Sequence, residues 1–122
     1  MQENPLQVKS ELADAELTPR RFVKLTSTGI DVATAGTDKI YGVMNKANTV
    51  PAGETAPVIT EGTAIVEASA AISKGAYVTA TTGGKAVATT TAGHVVRGMA
   101  LEAADADGDM IEIQLTFFHH KA

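Results

Sequence analysis

The sequence predicts an all-β protein: a small β-sandwich or barrel-like domain built from two duplicated halves, with an extended N-terminal arm. Three observations lead there. Short runs that alternate apolar and polar residues recur along the 122-residue chain, separated by Gly-, Thr- and Asp-rich turns. Helical periodicity is hard to find: 68–72 and 102–106 could each form a single turn, and 10–16 a short helix. The first half of the chain is also echoed in the second at an offset of about 55 residues, and repeats of this kind govern the fold.

The echo runs over residues 17–60 and 72–115. Leu17-Thr18 answers to Ile72-Ser73, Phe22-Val23 to Tyr77-Val78, Thr26 to Thr81 and Gly29 to Gly84. Val32-Ala33-Thr34 answers to Val87-Ala88-Thr89. After one residue of slippage, Gly42 meets Gly98, Val43 meets Met99 and Ala47 meets Ala103. Gly53-Glu54 then meets Gly108-Asp109, and Val58 meets Ile113. Coincidence in a chain rich in Ala, Thr, Val and Gly is the alternative. Glycines, apolar pairs and turns matched in one order favour duplication.

Taken in order, residues 1–16 form the arm. They are polar apart from Leu6, Val8 and Leu12, and Pro5 blocks a clean helix start. A helix over 10–16 would be too short to stand alone in water. An extended arm ordered by a partner and a frayed terminus both suit this composition. Residues 17–122 form a single β domain. A turn around Pro19 leads to a strand at 22–26, a turn at 27–29 and a second strand at 30–33, making a hairpin. A polar loop at 34–38 precedes a strand at 39–44. The loop 45–55 carries Pro51 and Gly53, and Pro57 suggests that the short strand 58–60 begins at a sheet edge. Gly62 turns the chain into a strand at 63–68. The second half repeats the plan: a strand at 77–81, a tight turn at 82–84, its partner at 85–88 and a polar loop at 89–93.

The stretch 94–115 is the most informative. Two apolar runs, 95–101 and 110–115, flank an acidic turn at 102–109. Gly98 interrupts the first run, where a bulge or a close backbone approach is expected. Ile111, Ile113 and Leu115 fall on one strand face, with Glu112 and Gln114 on the other. Phe117 and Phe118 are adjacent, so one is expected to be buried and the other to meet a partner.

Composition narrows the function. With 4% aromatic residues and no Trp, the core is built from small aliphatics, and partners are expected to supply some burial. The absence of cysteine excludes disulfides and thiolate chemistry. A formal net charge of −4 argues against a nucleic-acid surface, which needs clustered Lys and Arg. No apolar run approaches the roughly 18 residues that span a bilayer, and no membrane partner is expected. The N-terminus lacks the positive region and apolar core of a signal peptide.

The chemical motifs are weak. Asp105-Ala106-Asp107-Gly108-Asp109 has the look of a calcium loop, but Gly108 precedes the third Asp and Thr116 stands where a bidentate Glu is needed. An acidic turn whose Asp side chains bond the local backbone is the simpler reading. His119 and His120 point to opposite faces of a strand, and His94 lies far along the chain, so a metal would need an oligomer axis. Gly83-Gly84-Lys85 lacks phosphate-loop spacing. No Ser or Thr has an evident base, so no enzyme and no cofactor are expected. Arg20, Arg21 and Lys24 form the single basic cluster, either solvated or set against an acidic partner surface.

At 94–115 the chain resembles the small decoration, or capsid cement, proteins of tailed bacteriophages. The matching residues are Gly98, Ala100, Leu101, Glu102 and Ala103, then Gly108-Asp109, then Ile111, Ile113 and Leu115. Ile72-Ser73-Lys74-Gly75-Ala76-Tyr77-Val78 is similar to that family's approach to its second-half strand, and Thr82-Gly83-Gly84 to its hairpin. Gly42-Val43, Ala52-Gly53-Glu54 and Val58 look like the first-half counterpart. The resemblance covers roughly 22–115, and the arm and the segment 117–122 depart from it. It implies a structural virion protein, made in the host cytoplasm, that binds the major capsid protein on the outside of the head and reinforces the shell. It implies a homotrimer at three-fold or local three-fold positions. Capsid contacts are then expected at Leu6, Val8, Leu12, Arg20 and Arg21, and an oligomer interface at Phe117 and Phe118. The competing reading is a non-catalytic binding module of a phage tail or fibre, taking a carbohydrate or receptor. Two Tyr and three Phe leave little for an aromatic sugar platform.

Overall fold

The computed structural model describes residues 3, 5–46 and 48–119, with side chains throughout except at Phe118 and His119. Among these residues the chain forms nine strands and no α-helix. They are β1 (Pro5–Leu12), β2 (Phe22–Leu25), β3 (Ile30–Val32), β4 (Ile40–Met44), β5 (Thr55–Glu67), β6 (Tyr77–Ala80), β7 (Ala86–Ala88), β8 (Val95–Ala100) and β9 (Met110–His119). One 3-10 turn, Thr82–Gly84, joins β6 to β7. The strands make one antiparallel sheet curled into a half-barrel, in the order β3-β2-β4-β5-β9-β8-β6-β7, with β1 added to β5.

That order reads alike outward from its centre. One side runs β5, β4, β2, β3 and the other β9, β8, β6, β7. Finer features repeat too. Ala13 bridges Ile30 in parallel as Ala68 bridges Ala86, and Leu17 bridges Val50 as Ile72 bridges Ala104. The Gly53 N–H donates to the Ala13 carbonyl, and the Gly108 N–H donates to the Ala68 carbonyl, both at 2.8 Å. Leu12 pairs with Thr55 on β5, and Glu67 pairs with Met110 on β9. So β1 serves the first half as the end of β5 serves the second.

The strands follow the predicted runs closely, with four differences. The arm is a strand within the chain's own sheet, and 10–16 is not helical. The single turns considered at 68–72 and 102–106 are not helical either. The strands expected at 58–60 and 63–68 are one continuous β5. Gly62, with φ of 96°, bends that strand rather than ending it, a conformation open to a residue without Cβ. Pro57 lies between two partners instead of at an edge. Its carbonyl accepts from the Asn45 N–H, so the side lacking an N–H points past the end of β4.

The core has two parts. Ala13, Leu17, Val23, Ile30, Met44, Val50, Ala56 and Val58 fill the first half. Their counterparts, including Ala68, Ile72, Val78, Ile111 and Ile113, fill the second. That second cluster also takes in Phe22, Val43 and Ile59, which stand in register across β2, β4 and β5. These three are fully buried and join the halves. Each such side chain contributes roughly 1.5–3 kcal/mol of transfer free energy. At Gly98 a Cβ would lie 2.8 Å from Ile113 Cδ1, the close approach expected there.

Candidate functional site

The expected contact residues separate into three places. Leu6, Val8 and Leu12 come together on β1. Among the described residues β5 is the strand paired with β1, and it holds one edge only. Leu6 is 80% exposed, Val8 47% and Leu12 41%, so backbone bonds hold β1 while its large apolar side chains stay available. The polar side chains do the anchoring. Thr60 Oγ1 donates to Gln7 Oε1 at 2.8 Å, and the Tyr41 hydroxyl donates to Glu11 Oε2 at 3.0 Å. Burial and the Glu11 carboxylate together raise the Tyr41 phenol above its ordinary pKa.

Arg20 and Arg21 lie apart from this ribbon, and both are engaged within the chain. Arg20 Nη1 pairs with Glu3 Oε1 at 2.6 Å. Arg21 places Nε and Nη2 each 3.2 Å from Glu67 Oε1 and donates from Nη1 to the Gly83 carbonyl at 2.9 Å. Lys85 completes the network, 3.2 Å from Glu67 and 2.8 Å from Asp107. These residues clamp the halves together. The third basic residue, Lys24, faces Asp38 at 3.9 Å. The cluster is a joint more than a cationic patch.

The third place is a groove of about 630 Å³ at the junction of the halves. Tyr41, Thr60 and Glu61 line one side, Val95, Arg97 and Phe117 the other, and Leu25 stands at its end. Arg97 is 6% exposed inside it. Here the β8–β9 ladder shifts register, with Thr116 and Phe117 of β9 standing opposite Arg97 alone, a bulge on β9. The Arg97 guanidinium donates to the carbonyls of Tyr41 (2.8 Å), Thr60 (2.7 Å) and Thr116 (3.0 Å), tying β4, β5 and β9. Burial lowers its pKa, and the Glu61 charge partly offsets that. Phe117 covers it, with its ring centroid 5.7 Å from Cζ, a cation–π distance. Phe117 is 58% exposed and Leu25 43%, so the rim is apolar over a charged floor. Sequence reasoning found Phe117 and missed Arg97. The signal was a lone cation inside the apolar run VVRGMA. The Phe118 side chain lies outside the described residues.

The acidic turn behaves as a turn. Asp109 Oδ2 accepts from the N–H groups of Asp105 (2.8 Å) and Ala106 (3.2 Å). His94 Nδ1 bonds Thr89 Oγ1 at 2.7 Å. His120 lies outside the described residues. Among the described residues no His, Asp and Glu cluster is arranged to hold a metal, and no helix is long and apolar enough to cross a membrane.

Residues 2–115 match the family described as XM1 gp53 minor capsid protein. Comparison with curated proteins finds no match. Among solved structures, the fold is similar to the N base of the head fibre gp8.5 of bacteriophage phi29. The TM-score is 0.70 at 20% identity, covering 93% of this chain and 98% of that one.

Proposed function

The chain belongs to the XM1 gp53 minor capsid protein family and is a phage capsid-associated structural protein, and from that premise we propose that it decorates the outer surface of the head and stabilises the shell. The observation that carries this reading is β1. A strand held by one edge, with Leu6, Val8 and Leu12 turned to solvent, is suited to extend a partner's sheet or cover its apolar surface. The partner in this reading is the major capsid protein. Many weak copies on a repeating lattice give avidity without tight single contacts, and a homotrimer at three-fold or local three-fold positions multiplies it further. The protein acts without catalysis, and neither nucleic acid nor membrane takes part.

Deleting β1 would strip an edge from β5, so point changes test the reading better. Leu6→Glu with Val8→Glu is expected to leave the fold intact and to weaken binding to cognate undecorated heads at least about tenfold, because each desolvates a charge. Binding of this variant equal to that of the unmodified chain would contradict the role of β1.

The likeness to a head-fibre base favours a second reading, in which the domain anchors or forms part of a fibre that takes a carbohydrate or receptor. Specific hits on a glycan array, without binding to heads, would select it.

A further inference from the structure

In the first half, Phe22, Val43 and Ile59 stand in register and are fully buried. Their counterparts Tyr77, Met99 and Gln114 stand in the same register on β6, β8 and β9. This second row faces outward: Tyr77 is 44% exposed, Gln114 is exposed and Met99 is half-buried. The fold covers the first row and leaves the second open.

What covers the first row is specific. The Glu67 N–H, at the end of β5, donates to the Arg20 carbonyl at 2.9 Å. The tip of the β6–β7 turn seats beside it. Gly83 offers its carbonyl to Arg21, and Gly84 lies so close that a Cβ would be 2.6 Å from the Phe22 carbonyl oxygen. The equivalent place in the second half is a cleft of about 360 Å³ lined by Gly75, Ala76 and Tyr77 on one side and Ala88, Thr89 and Thr90 on the other. Among the described residues no turn tip seats there as the β6–β7 tip does in the first half.

We infer that this cleft and row receive a second copy of the chain, repeating between molecules the stack that the two halves make within one. The occupant follows from the equivalences. Leu12 answers to Glu67 in strand register, and the β2–β3 turn at 27–29 answers to the β6–β7 tip. Both are available: Leu12 is 41% exposed, and Ser27 and Thr28 are exposed. The contact is heterologous, the second half of one copy against the first half of the next, and such contacts form rings when the rotation closes. This inference rests on the self-association within the reading above and gives it a geometry.

The test uses two variants of the full chain, each altering an exposed residue. Thr90→Glu places a charge in the cleft, and Ser27→Glu places one on the tip. Sedimentation velocity over a concentration series should show self-association of the unmodified chain. Each variant alone should lose it by at least about tenfold, since a carboxylate would be desolvated without a partner. An equal mixture should form dimers and stop there, because the tip of the Thr90→Glu copy still fits the cleft of the Ser27→Glu copy. Unchanged circular dichroism and melting temperature would show both variants folded. A monomer at every concentration would overturn the inference and the trimer together, leaving head binding to its own test. Assembly that survives Thr90→Glu, or a mixture without dimers, would overturn the inference alone.

Discussion

Phe22 and Tyr77 occupy equivalent places in the two halves, yet Phe22 is fully buried and Tyr77 is 44% exposed. The strand plan around them is the same, and so are the bridges behind them. What differs is the neighbour. The first half has the second stacked on it, and its row is Phe, Val and Ile. The second half, among the described residues, has no other half stacked on it in this way, and its row is Tyr, Met and Gln, residues that tolerate both water and a partner. Covering has been divided unequally between two copies of one plan.

The largest test of that comparison is a paired truncation. Phe22→Ala should cost about 3–5 kcal/mol, the usual range for a buried aromatic. Tyr77→Ala should cost about 1 kcal/mol or less, as an exposed position does. Denaturant titration of both variants reads the difference directly, and equal losses would break the comparison.

The next test concerns Arg97, the buried donor at the junction of the halves. Arg97→Met leaves the carbonyls of Tyr41, Thr60 and Thr116 without their donor at the seam of the sheet. A loss on the order of 3 kcal/mol is expected by thermal or chemical unfolding. A loss within experimental error would mean that the groove floor is not structural.

The smallest test is an exchange. Arg20 has φ of 63°, and its counterpart Gly75 has φ of 88°. A left-handed backbone costs a non-glycine residue about 1–2 kcal/mol, while the Arg20–Glu3 pair, partly open to water, returns about 1 kcal/mol or less. Arg20→Gly should therefore raise stability by up to about 1 kcal/mol, and Gly75→Ala should lower it by about 1 kcal/mol. Opposite signs in the melting temperatures check the equivalence of the two positions.

Much of this was legible in the sequence. Alternation at Ile111, Ile113 and Leu115 placed the buried face of β9, and Gly98 marked a close approach. The matched glycines and apolar pairs marked two halves that the strand order repeats. The arm was harder to read, because Leu6, Val8 and Leu12 turn to solvent and β1 is held through backbone bonds to β5, which composition does not report. At Gly62 the sequence points to a turn where the chain only bends, because a bend and a turn share the same residue preference. The role of Arg97 is hidden in the sequence because its partners are three carbonyls, and a carbonyl leaves no mark on residue type. Arg20 and Arg21 looked like a patch because their carboxylates, Glu3 and Glu67, are distant in sequence. The open row of Tyr77, Met99 and Gln114 was visible as letters, but it means little until the buried row of the first half stands beside it.

The most direct test of the central claim is co-sedimentation with cognate phage heads that lack this protein, scored for saturation and for the heat resistance of the shell. Saturable binding at a fixed ratio to capsid subunits, with a higher shell melting temperature, is the predicted result. Absence of binding to cognate heads, with shell melting unchanged, would contradict it.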